Sequence, residues 1–103
     1  DWGHSKDYVK AMHFIVQQKE PGDYVVATGV THSVREMCDY VFTKLDLDYN
    51  NYVYQNPKFL RPEELPYLKG DSTKIRKELG WKPEYTFESM MDEMIEHWME
   101  IYK

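Results

Sequence analysis

Arg61 and Glu64 are the side chains of this 103-residue sequence with the best claim to ligand chemistry. They stand in FLRPEELPYLKGD, residues 59–71. Pro62 biases Arg61 toward an extended backbone, and Pro66 limits any helical turn that might start there. Both side chains are therefore expected on a loop of restricted flexibility. A guanidinium fork can grip a phosphate or diphosphate at two points. A neighbouring carboxylate can accept hydrogen bonds from sugar or ribose hydroxyls. The same two residues also describe an ordinary surface ion pair, which is worth little energetically. Residue types alone favour that plainer reading.

Other constellations are weaker. Glycines at 3, 22, 29, 70 and 80 stand alone and never reach the G-x-G-x-x-G spacing of a dinucleotide loop. The histidines at 4, 13, 32 and 97 lack metal-ligand spacing and read as structural. Cys38 falls on the apolar stripe of a helix and reads as a small hydrophobe. Tyr40 and Lys44 match Tyr-x-x-x-Lys, a pair in which the ammonium lowers the phenol pKa for proton exchange. No nucleotide-binding strand, turn and helix precedes them, so the match is rejected. No catalytic, cofactor-binding or metal-binding residue is assigned.

The elements that must position Arg61 and Glu64 follow from the rest of the chain. A hydrophobic fraction of 42% argues for a packed core rather than disorder. A net charge of −5 leaves no basic footprint for nucleic acid and does not suit an anionic membrane surface. No apolar run approaches a membrane span, and the sequence contains no signal-peptide pattern. One cysteine excludes an internal disulfide and fits a reducing, cytoplasmic setting. The chain opens on Asp1 and enters a helical pattern almost at once. We expect a single domain, residues 1–103, cut from a longer chain.

Helical spacing of Tyr8, Val9, Met12, Ile15 and Val16 predicts a first helix from Lys6 to about Gln18. Pro21-Gly22-Asp23 is a turn, and Tyr24 to Thr28 predicts a short strand ended by Gly29. Ser33 and Glu36 read as a capping box for a helix buried along Val34, Met37, Cys38, Val41 and Leu45. Tyr52-Val53-Tyr54 predicts another strand. Asp71 or Ser72 caps a helix that ends at Leu79, where Gly80 stops it. Thr86 caps a last helix lined by Phe87, Met90, Met91, Met94, Ile95, Trp98 and Tyr102. The expected fold is mixed α/β: three or four helices with two or three short strands, too few for a doubly wound sheet.

Taken together, the motifs resemble the GDP-mannose 4,6-dehydratases, extended short-chain dehydrogenases acting on nucleotide sugars. Asp1-Trp2-Gly3-His4-Ser5-Lys6-Asp7-Tyr8-Val9 is similar to the family's D-W-G-H-A-K-D-Y-V. Ala27-Thr28-Gly29 with His32 to Glu36 matches A-T-G, H-S-V-R-E. Arg61-Pro62-Glu63-Glu64 matches R-P-x-E, although Pro66 stands where the family has an acidic residue. Gly70-Asp71, Lys74 and Leu79 to Pro83 match G-D-x-x-K, L-G-W-K-P.

The resemblance implies the helical, C-terminal, substrate-binding portion of an NADP-binding Rossmann-type enzyme, without the Rossmann core. By the family's pattern Arg61 and Glu64 would contact the GDP part of GDP-mannose. NADP, the catalytic Thr and Glu and the true Tyr-x-x-x-Lys would belong to an N-terminal nucleotide-binding domain missing here. The parent, expected to be a homo-oligomer, would oxidise C4 of the mannose, eliminate water across C5–C6 and return the hydride to C6. The chain alone would then be inactive. The substrate part of a related nucleotide-sugar epimerase or reductase, or a non-catalytic interaction module, are the competing readings.

Overall fold

Four stretches of helical period become four α-helices in the computed structural model, which describes residues 1–103: α1 (Ser5–Val16), α2 (Val34–Lys44), α3 (Thr73–Leu79) and α4 (Phe87–Ile101). Two 3₁₀ turns, Tyr49–Asn51 and Pro57–Phe59, are the other regular elements. The chain divides into two compact units. One comprises Asp1–Thr31 with Lys69–Lys103, the other His32–Leu68.

The expected strands are not formed, and the fold is helical rather than mixed α/β. Tyr24–Thr28 and Tyr52–Tyr54 have strand-like composition, but a strand exists only by pairing. Neither finds a partner within this chain.

In the first unit, Ala11, Ile75 and Trp81 form the core, with Tyr8, Ile15, Tyr24, Val26 and Leu79 packed around it. α1 turns Asp7 and Ala11 inward, while Val9, Met12 and Val16 are 61–73% exposed. The expected stripe is thus rotated. The reason is Asp7, which is buried because its carboxylate accepts the N–H groups of Glu84 (3.0 Å) and Tyr85 (3.1 Å). Its main-chain oxygen accepts from Trp81 Nε1 at 2.8 Å. These bonds lash the start of α1 to the segment that leads into α4.

Helix ends follow local chemistry. His4 caps α1 by accepting from the Lys6 N–H at 3.0 Å. Gly80 ends α3 in the left-handed region, φ 73°, which a residue without a Cβ adopts at no steric cost. Ser72 makes no side-chain cap to α3; Asp71 accepts the Thr73 N–H instead, at 3.0 Å. Thr86 and Ser89 form a reciprocal capping box on α4. Met90 and Met91 of α4 are buried, whereas Met94, Trp98 and Tyr102 farther along are at least half exposed. Only the first half of its apolar side is covered.

The second unit is less densely packed. α2 buries no residue fully, and Val34 is exposed. The Ser33 hydroxyl accepts the Glu36 N–H at 3.0 Å. The return half of the expected capping box is replaced, because Glu36 reaches His32 Nδ1 at 2.9 Å. Phe42 of α2 stacks on Tyr52 at 5.7 Å between centroids.

Candidate functional site

The loop holding Arg61 and Glu64 follows the 3₁₀ turn Pro57–Phe59. That turn forms because Asn56 caps it, accepting the Lys58 N–H at 3.0 Å, and because Pro57 stands at its first position. Beyond Leu60 the backbone has no regular structure until α3, as two prolines in five residues require.

Arg61 Nε stands 3.9 Å from Glu64 Oε2, and the two side chains are 77% and 64% exposed. The spacing of three residues brings them together across one turn. At that distance and exposure the pair contributes less than about 1 kcal/mol. No hydrogen bond holds either side chain. The guanidinium therefore faces solvent with its fork available. Phe59, Leu60, Leu65 and Tyr67, which flank the pair, are each more than half exposed.

In the first unit three charged groups are bound by the chain itself. Asp1 Oδ1 accepts the Thr28 N–H at 3.0 Å, and Oδ2 accepts the N–H groups of Gly29 (2.9 Å) and Gly70 (3.1 Å). Arg76 donates from Nε to Ser72 Oγ at 2.8 Å and from Nη2 to the Thr28 carbonyl at 2.9 Å. Its guanidinium also lies over the Trp81 ring, 6.0 Å from the centroid. Asp1, Asp7 and Arg76 thus bind the protein's own backbone. Their pattern in sequence carries no signal of this, because every partner is distant along the chain or unexceptional in type.

A depression of about 400 Å³ opens beside α1, lined by Lys6, Lys10, Glu84 and Tyr85 among others. Its lysines are engaged. Lys10 Nζ reaches Glu84 at 2.7 Å and Lys6 Nζ reaches Glu93 at 3.7 Å. A hydrogen bond to Tyr85 first, and then the Glu93 charge, hold the Lys6 ammonium above its ordinary pKa. The hydrogen bond to Glu84 does the same for Lys10. The depression is a set of satisfied ion pairs, and neither Arg61 nor Glu64 lines it.

His4 Nε2 meets Glu93 at 3.1 Å, and its ring stacks on Tyr85 at 3.9 Å between centroids. No three His, Cys, Asp or Glu side chains converge to hold a metal ion. No helix is long and apolar enough to cross a membrane. Lys44 Nζ lies over the face of the Tyr40 ring, 5.4 Å from its centroid. That is a cation–π contact.

Comparison with known proteins bears on the remaining question. The profile described as GDP-mannose 4,6 dehydratase matches residues 1–94. GDP-mannose 4,6 dehydratase 1 of Arabidopsis thaliana is 41% identical over the whole chain, which covers 28% of that protein. GDP-mannose 4,6 dehydratase of Drosophila melanogaster is 37% identical over the whole chain, covering 30% of it. The Homo sapiens protein of the same name is 37% identical over 92% of the chain, again covering 30%. The chain spans about 30% of the length of these relatives.

Proposed function

Because this chain belongs to the GDP-mannose 4,6 dehydratase family, we propose that it forms the GDP-sugar-binding part of such an enzyme. The whole enzyme would be a lyase converting GDP-mannose to GDP-4-keto-6-deoxy-mannose. The observation that carries this reading is the family match, which spans the Arg61–Glu64 loop. Arg61 would hold the diphosphate, and Glu64 would accept from hydroxyl or purine N–H donors. The loose 3.9 Å pair supports that assignment. A surface pair of this kind costs less than about 1 kcal/mol to open, whereas charge-assisted bonds to a diphosphate return about 1.5–3 kcal/mol each.

NADP does not fit the residues of this chain. A pyrophosphate needs a glycine-rich turn leading to the open N–H groups of a helix N-terminus. The first turn of α2 is closed by the Ser33 hydroxyl and carries the Glu36 carboxylate. We therefore assign the cofactor and the bond-breaking residues to the portion of the enzyme that this chain does not match. The chain alone is inactive on this reading, and the complete enzyme is a cytoplasmic homo-oligomer. Calorimetry with GDP-mannose on the complete dehydratase carrying this chain tests the assignment. Arg61→Ala should weaken binding about 10- to 100-fold, from the net loss of one charge-assisted bond. Arg61→Lys, which keeps the charge and loses the fork, should fall between. Unchanged affinity in Arg61→Ala would remove Arg61 from the site.

A further inference from the structure

We propose that Asp1 is a positioning residue for the sugar-nucleotide site. Its one carboxylate closes the base of the excursion His32–Leu68, which carries Arg61 and Glu64. The inference rests on the reading that this excursion binds GDP-mannose, and deepens it.

The chain leaves the first unit after Thr31 and returns to it at Lys69. Gly29 stands just before the departure and Gly70 just after the return. Asp1 Oδ2 accepts both of their N–H groups, at 2.9 and 3.1 Å. Oδ1 accepts the N–H of Thr28 at 3.0 Å and its hydroxyl at 2.5 Å. A single side chain thus holds the outgoing and the returning backbone together. The two backbones also approach closely, since the Ala27 side chain occupies the space that a Cβ on Gly70 would need. The helix α3 completes the stem. Its Arg76 reaches back and donates from Nη2 to the Thr28 carbonyl at 2.9 Å. All of these residues lie in the first unit.

The stem matters because the excursion has little of its own with which to fix its ends. No residue between His32 and Leu68 is buried. Holding together the ends of a long, lightly packed segment costs chain entropy. Bonds from backbone N–H groups to a carboxylate are among the stronger ones available to offset it.

The consequence falls on affinity. With the ends held, the conformation that binds is populated before the ligand arrives. With the ends released, the competent fraction falls and the apparent Kd rises in inverse proportion. The bond-breaking residues belong to another portion of the enzyme on this reading. The loss is then one of uniform binding, which raises KM and leaves kcat in place.

The test uses the complete dehydratase carrying this chain, with GDP-mannose affinity from calorimetry and KM and kcat from turnover. Asp1→Ala should weaken affinity and raise KM about tenfold, the cost of re-ordering about one backbone residue on binding. Its kcat should stay within about twofold. Asp1→Asn keeps one oxygen for Gly29 and Gly70 and should lose only about threefold. Asp7→Asn loosens the same unit away from the stem, and should leave KM and kcat within about twofold. Unchanged affinity in Asp1→Ala, or in Asp1→Asn where the alanine variant does not fold, overturns the proposal. So does an equal loss of affinity in Asp7→Asn, which would make Asp1 one structural residue among others. Arg61→Ala keeps the two readings apart. If it binds normally while Asp1→Ala binds weakly, Arg61 leaves the site and the stem stands. If it binds weakly while Asp1→Ala binds normally, the stem alone fails.

Discussion

Asp7→Ala separates two accounts of the same residue by their size. As a first-turn acid on α1, Asp7 would act through the helix dipole, worth about 0.3–1 kcal/mol. Alanine would return about half a kcal/mol in helix propensity, so the net loss would be near zero. The structure makes Asp7 a clamp instead, 1% exposed and bonded to two backbone N–H groups from another part of the chain. Two charge-assisted bonds contribute about 3–6 kcal/mol in total. Water entering the truncated site recovers part of this, and helix propensity a little more. The expected net loss is about 3 kcal/mol, a large share of the 5–15 kcal/mol that holds a domain. The midpoint of thermal unfolding should fall by roughly 12 °C or more. Urea titration followed by circular dichroism measures this directly. Trp81 fluorescence follows the core from the side-chain end, since the Trp81 bond to the Asp7 main-chain oxygen does not depend on the substituted side chain. Asp7→Asn, which keeps one acceptor oxygen, should lose roughly half as much. A loss below about 1 kcal/mol for Asp7→Ala would refute the clamp and restore the dipole account.

Gly70→Ala places a Cβ against the Ala27 Cβ. It should destabilise by about 1–3 kcal/mol, and Ala27→Gly in the same chain should recover part of that loss in the same urea titration. The Asp71 carboxyl is held below its ordinary pKa, first by the Thr73 hydroxyl and then by the Thr73 N–H. A depressed folded-state pKa gives stability that is complete above the unfolded value and lost as pH falls through the folded one. Thr73→Val should therefore be less stable than the unsubstituted chain near neutral pH, and the gap should narrow below about pH 4; a pH-independent gap would assign the difference to packing.

Helix boundaries were legible because they depend on neighbours in sequence. Gly80 ends α3 and Thr86 opens α4 as their types require. The side on which a helix is buried was not legible for α1. Periodicity turns Val9, Met12 and Val16 inward and leaves a carboxylate outside. In the structure the N–H groups of Glu84 and Tyr85, 77 and 78 residues away, draw Asp7 in and rotate the stripe outward. The strands failed for a related reason. Composition identifies a segment willing to pair, but pairing is a property of the fold, and neither Tyr24–Thr28 nor Tyr52–Tyr54 finds a partner within this chain. The Arg61–Glu64 contact was legible because spacing alone creates it, whereas a ligand role could be argued only from family resemblance.

Where the charges are spent is the stronger guide to function. Each oxygen of Asp1 and of Asp7 accepts at least one hydrogen bond from the chain itself, and Arg76 divides its donors between Ser72 and Thr28. Releasing any of these to a ligand would forfeit backbone contacts that hold the first unit together, at about 1.5–3 kcal/mol per charge-assisted bond. A phosphate offers no net gain over such partners. Arg61 is in the opposite position, since its internal contact is a 3.9 Å pair open to water. Exchanging that contact for a diphosphate loses less than about 1 kcal/mol, so nearly all of the new interaction appears as affinity. A loop side chain held this loosely can give up its internal contact without unfolding the rest. On the same ground, Arg61→Ala should leave the urea midpoint of the chain unchanged while lowering GDP-mannose affinity in the complete enzyme. A loss of both together would place Arg61 among the structural charges.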